Sequence, residues 1–123
     1  MVVIMNGNSA GPVCFIIPPS VFRLDERVFM PLGLLRVAAV VEQAGYKVDV
    51  LDLSGVQNYL DAVRDYIRSH DTLTYCLTAT TPQMPAVAAV MKVLRVEAPA
   101  SRVVLGGPHV TLVNAGEASQ SAL

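Results

Sequence analysis

Four short apolar stretches punctuate this chain, at residues 14–18 (CFIIP), 47–53 (KVDVLDL), 72–78 (TLTYCLT) and 101–107 (SRVVLGG). They are rich in β-branched residues and read as near-continuous apolar runs, the pattern of strands covered on both faces. Three segments of helical period lie between them. Residues 31–44 (PLGLLRVAAVVEQA) are apolar nearly all round, with Arg36, Glu42 and Gln43 as the polar side. Gly45 then supplies the left-handed residue that ends a helix. Residues 57–70 place Tyr59, Leu60, Val63, Tyr66 and Ile67 on one face at the i, i+3, i+4 spacing. Residues 82–98 do the same with Met84, Val87, Ala88, Met91 and Leu94, and Thr81 stands where an N-cap belongs. Strands alternating with helices define βαβ units. The chain is therefore expected to be α/β: a Rossmann-like (flavodoxin-like) open, mainly parallel sheet with helices on both faces.

The two ends fit this scheme less directly. Val2–Met5 is a further apolar run, followed by the turn-rich NGNSAG. Residues 1–13 are read as an N-terminal extension whose strand, if formed, lies at a sheet edge, because residues 14–17 belong at the centre. Residues 14–123 form the α/β domain. Its end, VNAGEASQSAL, is small, polar and weakly periodic. A sheet ending on residues 101–107 needs further cover, so the domain is expected to be truncated at its C-terminal edge, as the front part of a longer chain.

Composition narrows the function. At 123 residues the chain is one domain, and 53% apolar against 15% charged residues describes a packed globule. A net charge of −1 leaves no electrostatic footprint for nucleic acid or an anionic membrane. Without a signal peptide or an apolar run of membrane-spanning length, the chain reads as cytoplasmic. Cys14 and Cys76 sit inside apolar runs and read as small core residues, with no close cysteine spacing for a metal.

In an open parallel sheet, ligands bind beyond the carboxyl ends of the strands. The loops there are Pro18-Pro19-Ser20, Asp52-Leu53-Ser54-Gly55, TATTPQ (78–83) and Gly106-Gly107-Pro108-His109. All are small, polar or glycine-rich. Glycines admit close approach of a backbone, and Thr78, Thr80 and Thr81 can line a slot with hydroxyls. The helix start at Pro82–Gln83 offers free N–H groups. This describes a narrow, half-polar cleft rather than an acid–base site. G-x-G-x-x-G, G-x-x-x-x-G-K-[ST] and G-x-S-x-G are all absent. Asp25, Glu26 and Asp52 do not make the acidic pocket and distal lysine of a phosphorylated receiver, although Asp52 ends a strand.

PPS…R…MPLGLLRVAAVVEQAGYKVDVLDLSG, then TATTPQ, then VVLGGPHVT closely resembles the cobalamin (vitamin B12)-binding domain at the front of cobalamin-dependent radical S-adenosylmethionine enzymes. The resemblance spans about residues 14–114. It implies a corrin held over the C-terminal edge of the sheet, with the nucleotide tail in a groove alongside the strands. Thr78, Thr80 and Thr81 would then line the tail groove, and Gly106 and Gly107 would meet the buried base. Ser54, Gly55 and Gln83 would lie nearer the corrin rim. His109 would bond a propionamide or the tail, or cap the next segment.

The chain departs from related mutases and methionine synthases in lacking D-x-H-x-x-G, whose histidine ligates cobalt. Neither His70 nor His109 has that spacing, so base-off cobalamin without a protein histidine is implied. Arg23 and Arg27 are candidates to approach the lower face, though both also fit solvated surface charges. The chain also lacks the C-x-x-x-C-x-x-C triad of the radical enzymes. The 4Fe-4S cluster and S-adenosylmethionine are thus expected only in a catalytic domain acting in cis or trans. The parent reaction implied is methyl transfer to an unactivated carbon, with oxidative cyclisation as its neighbour. Two other readings stay open: a cofactor-free regulatory or interaction module, and a flavodoxin-like domain binding FMN or phosphate at Thr80–Gln83.

Overall fold

The computed structural model describes residues 11–19, 32–79 and 83–107. The Val2–Met5 run, Arg23 and Arg27 fall outside these residues, as does Thr81, and the N-cap position of the last described helix falls on Gln83 rather than on Thr81. Seven elements alternate: β1 (Val13–Ile17), α1 (Leu32–Gln43), β2 (Val48–Asp52), α2 (Tyr59–Ser69), β3 (Thr74–Thr78), α3 (Met84–Glu97) and β4 (Arg102–Gly106). The strands form one sheet in the order β2-β1-β3-β4, and all three pairings are parallel. This is the Rossmann-like α/β sheet that the alternating pattern predicts.

Strand limits follow the ladder. β1 begins at Val13, one residue earlier than the apolar pattern suggests, because Val13 aligns with Val48 on one side and Thr74 on the other. Pro18, which has no N–H to give a further rung, ends it. The flanking residues Lys47, Thr72 and Ser101 drop out of their strands since β1 and its neighbours are only five residues long. At the end of α1, Gly45 takes φ +99°, and its N–H donates to the Glu42 carbonyl at 3.0 Å. That left-handed turn redirects the chain into β2, as the sequence predicts.

Alternate residues of β1 feed two cores. Val13, Phe15 and Ile17 pack with Leu34, Ala38 and Val41 of α1 and with Cys76 of β3. Cys14 and Ile16 face the other way, toward Tyr75, Leu77, Val63 of α2 and Val87, Val90, Val93 and Leu94 of α3. Burial on both faces is why β1 has no polar position. Each such Phe or Ile, wholly removed from water, contributes roughly 1.5–3 kcal/mol. The two cysteines lie on opposite faces of the sheet, which keeps them apart as free thiols.

The buried stripe of α3 is Ala86, Val87, Val90, Val93 and Leu94, with Met84 and Met91 only partly buried and Ala88 exposed. The periodicity pointed to Ala88 instead of Val90. A helix apolar on nearly every side does not announce its inner face, and the larger valines win the contact with the sheet.

Candidate functional site

The winding of the chain reverses at β1. From β1 it travels through α1 to β2 on one side, then through α2 to β3 on the other, with α1 on one face and α2 and α3 on the opposite face. Right-handed crossovers force this arrangement. The chain therefore leaves β1 and β3 for helices on opposite faces, the topological switch point at which open α/β sheets bind ligands in a crevice beyond the carboxyl ends of their strands. The ladder marks the same place. β1 stays paired with β2 as far as Ile17↔Asp52, and β3 with β4 as far as Thr78↔Gly106. Between β1 and β3 the last pair is Ile16↔Leu77, one residue short.

Each strand end is built locally. Behind β2, the Ser54 N–H donates to Asp52 Oδ1 at 2.9 Å and the Val56 N–H to the Leu53 carbonyl at 3.1 Å, closing a tight turn. Leu53 is buried and its N–H reaches the Ile17 carbonyl, so the turn is tied down to β1 with Ser54 and Gly55 facing outward. Behind β3, the Ala79 N–H donates to the Gly106 carbonyl at 3.1 Å. Gly107 takes φ +103°, and a Cβ there would stand 2.5 Å from Thr78 Oγ1, 2.8 Å from the Ala79 nitrogen and 2.9 Å from its oxygen. The close approach that demands this glycine is to the end of the neighbouring strand. Across the crevice, Gln83 Nε2 donates to the Pro18 carbonyl at 2.9 Å.

The structure thus gathers Thr78, Gln83, Gly106 and Gly107 around the ends of β1, β3 and β4. It places Ser54 and Gly55 at the end of β2, two strand spacings from β3, or about 10 Å. Thr80, Thr81 and His109 lie outside the described residues. Pro18 was not among the site residues read from the sequence. Its buried carbonyl becomes part of the crevice only through the Gln83 contact, and the Pro-Pro pair after a strand was the one available signal. Among the described residues at these strand ends, Asp52 alone is ionisable, and the others offer neutral hydroxyls, amides and backbone groups.

His70 lies at the other end of the sheet. It caps the C-terminus of α2, which starts near the carboxyl ends and delivers the chain to the start of β3. A five-residue strand, about 16 Å, separates it from the crevice. There it stacks on Tyr66, with ring centroids 4.0 Å apart. The Tyr66 hydroxyl donates to Asp49 Oδ2 at 2.9 Å, fixing α2 to β2. Burial pushes the Cys14 thiol beside this pair up to about 12, and burial likewise carries Tyr66 above the usual phenol range. Cys76 is raised to about 11, also by burial. These thiols stay protonated at neutral pH and serve packing. Among the described residues no group of three His, Cys, Asp or Glu side chains could hold a metal ion, and no helix is long and apolar enough to cross a membrane.

An open parallel sheet with small, mostly neutral described residues at its switch point is the kind of α/β fold that binds ligands beyond its strand ends, and no group of three metal-ligating side chains occurs among the described residues. Comparison with protein families specifies the ligand class. The model of the B12 binding domain matches residues 26–120. The chain belongs to the B12 binding domain family, and cobalamin is the ligand that membership supports. No curated protein matches the chain. The donor set fits such a ligand: cobalamin is fringed with neutral amides and carries one phosphodiester, and the described strand ends offer hydroxyls and amides.

Proposed function

We propose that this domain holds cobalamin base-off for a radical S-adenosylmethionine enzyme. The carrying observation is the crevice itself, where the β1–β3 ladder stops one residue early among neutral, small side chains, in a B12 binding domain. In this reading Thr78, Thr80, Thr81, Gly106 and Gly107 line the groove for the nucleotide tail. Ser54, Gly55 and Gln83 border the corrin, and His109 bonds a propionamide or the tail. The lower cobalt face receives no protein histidine, because D-x-H-x-x-G is absent and His70 sits at the far end of the sheet. Bound cobalamin would supply methyl-group transfer, here to an unactivated carbon. The 4Fe-4S cluster and S-adenosylmethionine belong to the catalytic domain that acts with this one, in the cytoplasm. The chain's own residues bind and orient the cofactor.

The test is incubation with hydroxocobalamin, gel filtration and a visible spectrum. Co-elution of colour with protein in a base-off spectrum, unchanged in His70→Ala, is expected. Folded protein that elutes colourless overturns the reading, and a base-on or histidine-ligated spectrum overturns its base-off part. The radical-enzyme context is tested in the genome, where a C-x-x-x-C-x-x-C segment should be encoded in the same reading frame or beside it.

A further inference from the structure

Among the described residues, one side chain reaches across the ends of β1 and β3. Gln83 directly precedes α3, in the N-cap position, yet its side chain makes no capping bond to that helix. It turns back instead and donates from Nε2 to the carbonyl of Pro18, 65 residues earlier in the chain, at 2.9 Å. Pro18 directly follows β1, whose crossover leads to α1 on one face, and Gln83 directly precedes α3 on the other. The bond lies just past Ile16↔Leu77, the last rung between β1 and β3. A side-chain amide thus continues, in effect, a ladder that the backbone has already given up. Gln83 is half-buried and Pro18 buried, so the pair is set into the opening rather than over it.

Resting on the cobalamin reading above, we propose that the Gln83–Pro18 hydrogen bond is a latch across the switch-point crevice, which the nucleotide tail of a corrinoid must displace as it inserts. The latch holds the strand ends together in the ligand-free domain and shields the Pro18 carbonyl until the tail arrives. It acts on the rate of capture, and it acts only on ligands that carry a tail. Cobinamide, which has the corrin but no nucleotide, does not need the latch to open.

Gln83→Met keeps the side-chain length and removes the donor. Gln83→Glu keeps the shape and replaces the donor with an acceptor that the carbonyl repels. Stopped-flow absorbance of hydroxocobalamin binding to the full chain is expected to show about five-fold faster association for both variants, the factor carried by one neutral hydrogen bond. Because Gln83 also borders the corrin in the reading above, cobinamide association is expected to change too, but by less than half as much as that of cobalamin. Urea unfolding of each variant confirms that the sheet remains intact, and either variant suffices if the other fails to fold. Unchanged or slower cobalamin association, with wild-type binding intact, overturns the latch alone. Equal acceleration of cobinamide also overturns it, since the bond would then not be gating the tail. Failure of wild type and both variants to bind any corrinoid overturns the parent reading and the latch together.

Discussion

Gly107 shows how a residue's reason can lie elsewhere than its motif suggests. In the sequence it is the second glycine of a pair that invites a ligand. In the structure its positive φ and the nearness of Thr78 and Ala79 already exclude a side chain. Gly107→Ala is therefore expected to lower stability by about 2 kcal/mol in urea unfolding, with no ligand present. Equal stability would mean that the strand ends yield freely. A second residue-scale feature was invisible in the sequence. Tyr66 reads as one more apolar position of α2, yet its hydroxyl reaches Asp49 across 17 positions of chain. Tyr66→Phe should cost about 1 kcal/mol, since the half-buried carboxylate loses a donor while the ring still packs. A loss near zero would show that water replaces the phenol.

Elements were legible in proportion to how one-sided their patterns are. α2, with a polar outer face, declared Val63 as its inward residue, and that residue is buried. α3 did not, because Ala88 and Val90 are both apolar and only contact with the sheet separates them. Val87→Ala should cost roughly 2 kcal/mol, whereas Ala88→Lys on the exposed side should change stability by less than about 0.5 kcal/mol. Reversed magnitudes in a thermal-unfolding comparison would place the helix the other way round. In α1, a Cβ at Gly33 would meet nothing within 4 Å. Gly33→Ala is accordingly expected to stabilise the protein by about 0.5 kcal/mol by reducing the freedom of the unfolded chain.

At the scale of the whole molecule, the buried acids set the alkaline limit. Cys14, Cys76, Tyr66 and Tyr75 all have folded pKa values raised chiefly by burial. The unfolded chain releases these protons first, from about pH 9 upward for the thiols. Between that point and the folded values, the unfolded state binds fewer protons, so stability present below pH 9 falls as pH rises. The urea midpoint should decline steadily from about pH 8 to pH 10.5, less steeply in a Cys14→Ala, Cys76→Ala variant. A flat profile would contradict burial of the thiols. The same burial predicts that neither cysteine reacts with a thiol reagent until the chain unfolds.

The sequence by itself determined the order of strands and helices, the double burial of β1, the stop at Gly45 and the set of loops gathered at one end of the sheet. These follow from local period and backbone chemistry, which act over a few residues at a time. Tertiary structure decided the rest. Strand order and the handedness of the crossovers made β1 and β3 the place where the sheet parts. Packing chose the inner face of α3, sent His70 to the opposite end, and set Gly107 close against Ala79. It also brought Gln83 to Pro18. Such contacts join residues tens of positions apart, and no local pattern of hydrophobic and polar positions records which of them will meet.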